Sequence, residues 1–167
     1  MKAMRFEHSS VLAAPVGRVW GFHVSPGALS HLSPKVMGFK VVDPGGGVAN
    51  GSLLKAEVGF GPLKSRWHAL HSGVEENRGF TDQAVRSPFR YWVHRHELEP
   101  FEGNRTRLRD TIWLVPPRWM PAALFRPVIQ AGLRALFAWR HRQTRKAVER
   151  PSDRACSSLT ACSLVNS

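Results

Sequence analysis

Five residues of this chain combine chemically useful side chains with useful spacing. His94 and His96 stand two apart in Trp92-Val93-His94-Arg95-His96-Glu97-Leu98, so on an extended strand both imidazoles point to one face. Asp82 lies in the run before it, Asp110 in the run after it, and His71 one run further upstream. Imidazole titrates near neutral pH, and a neighbouring carboxylate can orient it. The set His94, His96, Asp82 and Asp110 could therefore act as general acid and base, and these are the catalytic candidates. Two His and a carboxylate also suit zinc or iron. The same groups could simply bond to one another inside a core, since an unpaired buried polar group costs roughly 1–3 kcal/mol. Three readings stay open: a structural network, contact with a ligand, and a metal site. The last is the minor one, because eight His make such a triple easy to meet by chance. We expect no metal and no cofactor.

The elements that would bring these residues together are legible from periodicity. Met4 to Ala13 reads as a strand ending before Pro15, which suits the first turn of a short helix over Val16 to His23. A second short helix fits Ala28 to Leu32. Six further strands are predicted: Gly38 to Asp43, Ser52 to Phe60, Lys64 to Val74, Arg78 to Val85, Arg90 to Glu99 and Arg105 to Leu114. Turn residues such as Glu75-Glu76-Asn77 and Glu102-Gly103-Asn104 separate the later ones. In the second of these, Leu54, Ala56, Val58 and Phe60 share a face. After Pro116-Pro117 and Pro121 the period changes from two to 3.6. Leu124, Phe125, Val128, Ile129, Leu133, Leu136 and Phe137 then form an apolar stripe opposed by Arg126, Gln130, Arg134 and His141.

Short turns between consecutive strands imply an antiparallel sheet, and the single long helix would cover its concave face. The fold class expected is α+β. Residues 1–150 make a single domain and 151–167, Ser-rich and without pattern, a disordered tail.

Composition excludes several function classes. Hydrophobic residues make up 43%, enough for a packed core, so wholesale disorder is excluded. Arg126, Gln130 and Arg134 interrupt the longest apolar stretch, so no segment is predicted to span a membrane. The N-terminal residues lack the apolar run of a signal peptide, and the expected compartment is the cytoplasm. Cys156 and Cys162 lie in the tail, far from any catalytic pattern. Gly45-Gly46-Gly47 is a turn with no helix after it, which argues against a phosphate loop. Lys and Arg number 24 against 12 Asp and Glu. Arg140, His141, Arg142, Arg145, Lys146 and Arg150 crowd the end of the long helix, where positive charge favours the helix dipole. That end reads as a solvated surface or as a contact for anionic membrane. Nucleic acid is the poorest fit, because no aromatics for base stacking are interleaved there.

The motifs carry a resemblance. Gly79-Phe80-Thr81-Asp82-Gln83, Ser87-Pro88-Phe89 and Trp92-Val93-His94-Arg95-His96-Glu97-Leu98 look like the F-x-D-x-Q…G-P-F-x-x-W-x-H-x-H-x-F core of the SRPBCC, or START-like, superfamily. Thr106 to Asp110 and Pro116-Pro117 resemble its ending. Ser87 replaces the usual Gly and Leu98 the usual aromatic. The resemblance spans Met4 to Glu149 and is nearest to polyketide-cyclase/dehydrase-like or coenzyme-Q-binding-like proteins. It implies a helix-grip fold, with six or seven strands wrapped around a long C-terminal helix. It also implies a cavity for a hydrophobic small molecule such as a lipid, quinone or polyketide.

Alternation then nominates Trp67, His71, Phe80, Asp82, Trp92, His94, His96, Asp110 and Ile112 as ligand-binding residues from the sheet, with Phe125, Ile129 and Leu133 from the helix. His94 and His96 are expected to border a ligand-sized void. The leading expectation is a non-catalytic binder. One alternative is a cyclase or dehydratase using the His and Asp residues without a cofactor. The other is an interaction module docking its basic helix on an anionic surface. The partner expected is the hydrophobic ligand, with peripheral membrane contact possible, nucleic acid disfavoured, and the chain a monomer or homodimer.

Overall fold

The computed structural model of the chain describes residues 3–117 and 122–149. The expected tail, together with Arg150 of the basic helix end, lies outside the described residues. Strand β1 (Met4–Leu12) leads into helices α1 (Val16–Val24) and α2 (Ala28–His31). Six strands follow: β2 (Lys40–Asp43), β3 (Leu53–Val58), β4 (Ser65–Glu75), β5 (Gly79–Arg86), β6 (Tyr91–Phe101) and β7 (Arg105–Val115). Helix α3 (Ala122–Val148) ends the described part. Pro15 precedes α1 rather than joining its first turn, and its carbonyl accepts the amides of Arg18 and Val19.

The strands form one antiparallel sheet in the order β1-β7-β6-β5-β4-β3-β2. Every expected strand is present, with ends shifted by at most two residues. Period-2 alternation is visible directly in β6 and β7, where His94, His96, Leu98, Leu108, Asp110, Ile112 and Leu114 are buried and Arg95 is exposed. Gly79 makes the β5–β6 pairing possible. Its φ is +145°, and a Cβ there would lie 1.9 Å from the His96 carbonyl oxygen.

Two apolar clusters fasten α3 to the sheet. Leu133 and Phe137 pack on Met4, Phe6, Ile112 and Leu114 at one end. Val148 joins Leu12, Val19, Leu98 and Leu108 at the other. The helix thus runs along β1 and against α1 rather than across β2–β4. The inward-facing Leu54, Val58 and Trp67 therefore stay half-buried.

Three expectations about faces are corrected. Phe60 lies beyond the end of β3 and is 60% exposed, because the chain turns at Gly59 before it can share the strand's face. On α3, Val128 is 63% exposed and His141 only 3%. The buried row is Leu133, Phe137, His141, Thr144 and Val148, a run of three- and four-residue steps that continues through a polar residue. Arg140 is also drawn inward, where its Nε donates to the Leu32 carbonyl (2.8 Å) and its guanidinium lies over the Phe137 ring. The exposed basic end of α3 therefore comprises Arg142, Arg145 and Lys146. No helix among the described residues is long and apolar enough to cross a membrane.

Candidate functional site

The strand registers place the chemically active residues in two rows on the concave face. His8, Asp110, His96 and Phe80 sit opposite one another across β1, β7, β6 and β5. One step along, Ile112, His94, Asp82 and His71 do the same across β7, β6, β5 and β4. Diagonal neighbours on a pleated face are close enough for long side chains to meet, so the rows interlock.

Asp110 is the hub. His94 Nε2 donates to its Oδ1 at 2.7 Å, and His141 Nε2 donates to its Oδ2 at 2.6 Å. His96 Nδ1 lies 2.8 Å from Oδ1, a short ionic contact without well-aligned hydrogen-bond geometry. On its other edge His96 Nε2 reaches Asp82 Oδ2 at 3.4 Å, and His71 Nε2 lies 3.2 Å from Asp82 Oδ1. Both ends of this chain close on hydroxyls. Ser10 Oγ is 2.7 Å from His141 Nδ1, and Ser52 Oγ is 3.0 Å from His71 Nδ1 while donating to the Gly47 carbonyl. The result is a continuous polar path from β1 and α3 to the β2–β3 loop.

Burial sets the charge states. Desolvation disfavours the His96 cation, yet the Asp110 and Asp82 carboxylates on its two sides outweigh it and raise the group to about 9. His94 is pushed down to about 4, by burial first and then by the neighbouring His96 cation. His23 on α1 falls to about 4 for the same two reasons. Burial works to raise Asp110, but His96 and the hydrogen bonds from His141 and His94 hold it well below the usual carboxylate range. Asp82 is lowered likewise, with burial opposing and the His96 contact prevailing. Burial also lowers Arg140, which faces the field of both carboxylates. His96 and Arg140 thus set positive charge beside the two carboxylates, Asp82 and Asp110.

A metal could draw on Asp82, His94 and His96, whose donor atoms fall within 4.8 Å of one another. The present partners do not favour it. His94 Nε2 already binds Asp110, and an added dication would leave the interior with excess positive charge beside Arg140.

The expected ligand residues divide into a sealed group and an accessible one. Ile112 and Leu133 are core, while His71, His94, His96 and Asp110 have side chains no more than 10% exposed. The void bordering His96 offers about 10 Å³ to the centre of a water molecule, enough for one water. It is lined by His23, Asp110, Arg140, His141 and Thr144 among others, and His94 is not one of them. Beside His96 the described space is thus water-sized, with His23 of α1 and Phe137, Arg140, His141 and Thr144 of α3 in its lining. The Phe125 side chain lies outside the described residues.

Asp82 differs from its partners, with 22% of its side chain exposed. Next to it Trp67, Phe89 and Trp92 form a half-buried aromatic wall, with ring centroids 5.0–6.2 Å apart. Trp67 of β4 and Trp92 of β6 meet over β5, beyond the Ala69–Ala84 pair. Phe80 stacks on His96 at 4.3 Å, on the other side of Asp82 along β5. Ile129 of α3 faces the wall, half-buried.

Sequence reasoning missed His8, Ser10, His23, Ser52, Arg140 and His141 as members of the site. The signal was present for some of them. His8 and Ser10 share the face of β1 that carries Phe6 and Leu12, and His141 stands four residues after Phe137.

Comparison with known proteins bears on the fold. A family model described as "Domain of unknown function (DUF8410)" matches residues 52–148, more than half of the chain. No curated protein matches the sequence. Among solved structures, a Chromobacterium violaceum protein is similar at TM-score 0.68 and 17% identity, over 90% of this chain and 100% of that one. Norcoclaurine synthase from Thalictrum flavum, solved with dopamine and hydroxybenzaldehyde, is similar at TM-score 0.63 and 18% identity, over 90% and 89%. Ara h 8.0201 is similar at TM-score 0.57 and 12% identity, over 86% and 99%.

Proposed function

Because the chain belongs to the DUF8410 family and has the helix-grip, Bet v 1-like fold of the SRPBCC-type superfamily, we propose a function from its own concave face. The protein binds a hydrophobic small molecule carrying one hydrogen-bonding group, of the lipid, quinone or polyketide kind. The apolar body lies on Trp67, Phe89 and Trp92, and the polar group meets Asp82. The observation that carries this reading is the juxtaposition of a half-buried aromatic wall with the one network carboxylate that keeps solvent exposure. Half-buried aromatics beside a convergent polar group are what small-ligand sites use for affinity and orientation.

A catalytic reading, ring closure or dehydration by acid–base residues, draws on a different observation. Asp82 is coupled through the His96 cation to Asp110, so the partly exposed carboxylate is linked to the interior acid–base groups. Norcoclaurine synthase, a chain of similar fold, is an enzyme.

Organic extraction of the purified protein followed by mass spectrometry tests the binding reading, together with tryptophan fluorescence during titration with a quinone, a fatty acid and an aromatic polyketide. A stoichiometric apolar compound, or saturable quenching lost in Trp67→Ala, is the expected result. Neither retention nor saturable quenching by any of the three sinks it. Turnover of a bound compound that disappears in Asp82→Asn moves the assignment to catalysis.

A further inference from the structure

The turn between β3 and β4 and the segment between α2 and β2 form a second surface, independent of the ligand reading. Met37 O accepts the Gly59 amide at 3.0 Å, holding the two segments together. Gly38, with φ of +57°, lets the Phe60 ring and the Gly59 carbonyl come so near that a Cβ would lie 2.9 and 2.5 Å from them. This fixed tip presents apolar side chains outward. Val36 is 83% exposed, Phe60 60% and Met37 36%. Exposed apolar groups gathered on one tip and rimmed by polar residues mark an interaction surface.

The charge around the tip says what it contacts. Segments 33–41 and 57–66 carry Lys35, Lys40, Lys64 and Arg66 against one acid, Glu57. Lys64 reaches Glu57 at 3.6 Å, and Lys40 and Arg66 flank the same residue in the strand register. Apolar side chains at the apex and cations set back around them match a bilayer interface, with acyl chains below and anionic headgroups above. The tip lies at the end of the sheet where β3 finishes and β4, β6 and β1 begin. The half-buried Trp67 and Trp92 stand just inside that end. The exposed basic residues of α3 lie at the opposite end, near Leu12.

The geometry points to the Val36–Met37–Phe60 tip as a docking site for an anionic lipid bilayer, seated by Lys35, Lys40, Lys64 and Arg66. The protein would rest with the end of the sheet that carries Trp67 and Trp92 toward the membrane. The basic end of α3, nominated by sequence, would face away.

Sedimentation with vesicles tests this, using the full chain and equimolar phosphatidylserine and phosphatidylcholine. Binding is expected to these vesicles and not to pure phosphatidylcholine. Val36→Asp with Phe60→Asp should weaken it about tenfold or more, and Lys35→Ser with Lys64→Ser about fivefold per lysine removed. Val36→Asp alone, at a residue almost fully exposed, should show the same direction with an unchanged circular dichroism melt. Arg142→Ser with Lys146→Ser at the far end should bind like the unaltered protein. The proposal is overturned if no binding is found, if the tip variants bind normally, or if the Arg142/Lys146 variant alone loses binding. It is equally overturned if light scattering without lipid shows a dimer that the tip variants dissolve, which would assign the surface to a second copy of the chain.

Discussion

His141 Nε2 on α3 lies 2.6 Å from Asp110 Oδ2 on β7, with both side chains 4% exposed. This contact ties the last helix to the middle of the sheet at a point where apolar packing gives way to charge. The carboxylate serves His94 and His96 at the same time, so losing it affects three rings. Removing one member of a buried ionic network leaves its partners desolvated and uncompensated.

Asp110→Ala should destabilise the fold by about 3–5 kcal/mol. His141→Ala should cost about 1–3 kcal/mol, since it removes one donor and leaves the other two contacts in place. Urea unfolding followed by far-UV circular dichroism measures both. Equal and small losses in the two variants would mean the hub is not formed.

Stability should peak near pH 6.5. His96 has its folded-state value raised to about 9 from 6.5, so its contribution is complete below 6.5 and is lost as pH rises through 9. That loss is on the order of 3 kcal/mol. His94 and His23, lowered to about 4, contribute fully above 6.5 and lose that contribution as pH falls toward 4. Asp110 and Asp82, held below 3.8, add a further loss at still lower pH. Urea midpoints across this range test the shape, and a flat profile between pH 6.5 and 9 would contradict the charged state of His96.

Asp82→Asn should bring the alkaline decline to lower pH. Asp82 is one of two carboxylates holding the His96 proton, so replacing it lets that proton leave sooner. Long-range nitrogen–proton NMR of the imidazole reads the change directly. An unaltered titration would show that Asp110 alone retains the proton.

Gly79→Ala should destabilise by about 2 kcal/mol or more, through positive φ and through the clash with the His96 carbonyl. Its effect should appear as lost amide protection in β5 and β6 before β1. A fully stable Gly79→Ala protein would mean that the strand pair relaxes without disturbing Phe80 and His96.

Local patterning was enough for the sheet. Alternation in β6 and β7 put His94, His96 and Asp110 on the core face, since a shift of one residue would expose Trp92, Leu98 and Leu108 instead. The 3.6 period similarly predicted α3 and the burial of Leu133 and Phe137. These are one-dimensional properties, decided by which neighbours along the chain are apolar. What lies across the interior is not one-dimensional. His141 and Arg140 read as part of a solvated basic helix end, because their neighbours in sequence are charged. Only the packing of α3 on β1 brings them against Asp110 and Leu32, where a buried carboxylate and a carbonyl reward a cation or donor. The small space lined by His23, His96, Arg140 and His141 has the same origin. Strand faces determine which residues point inward, but the position of α1 and α3 decides whether they meet a ligand, a single water or one another.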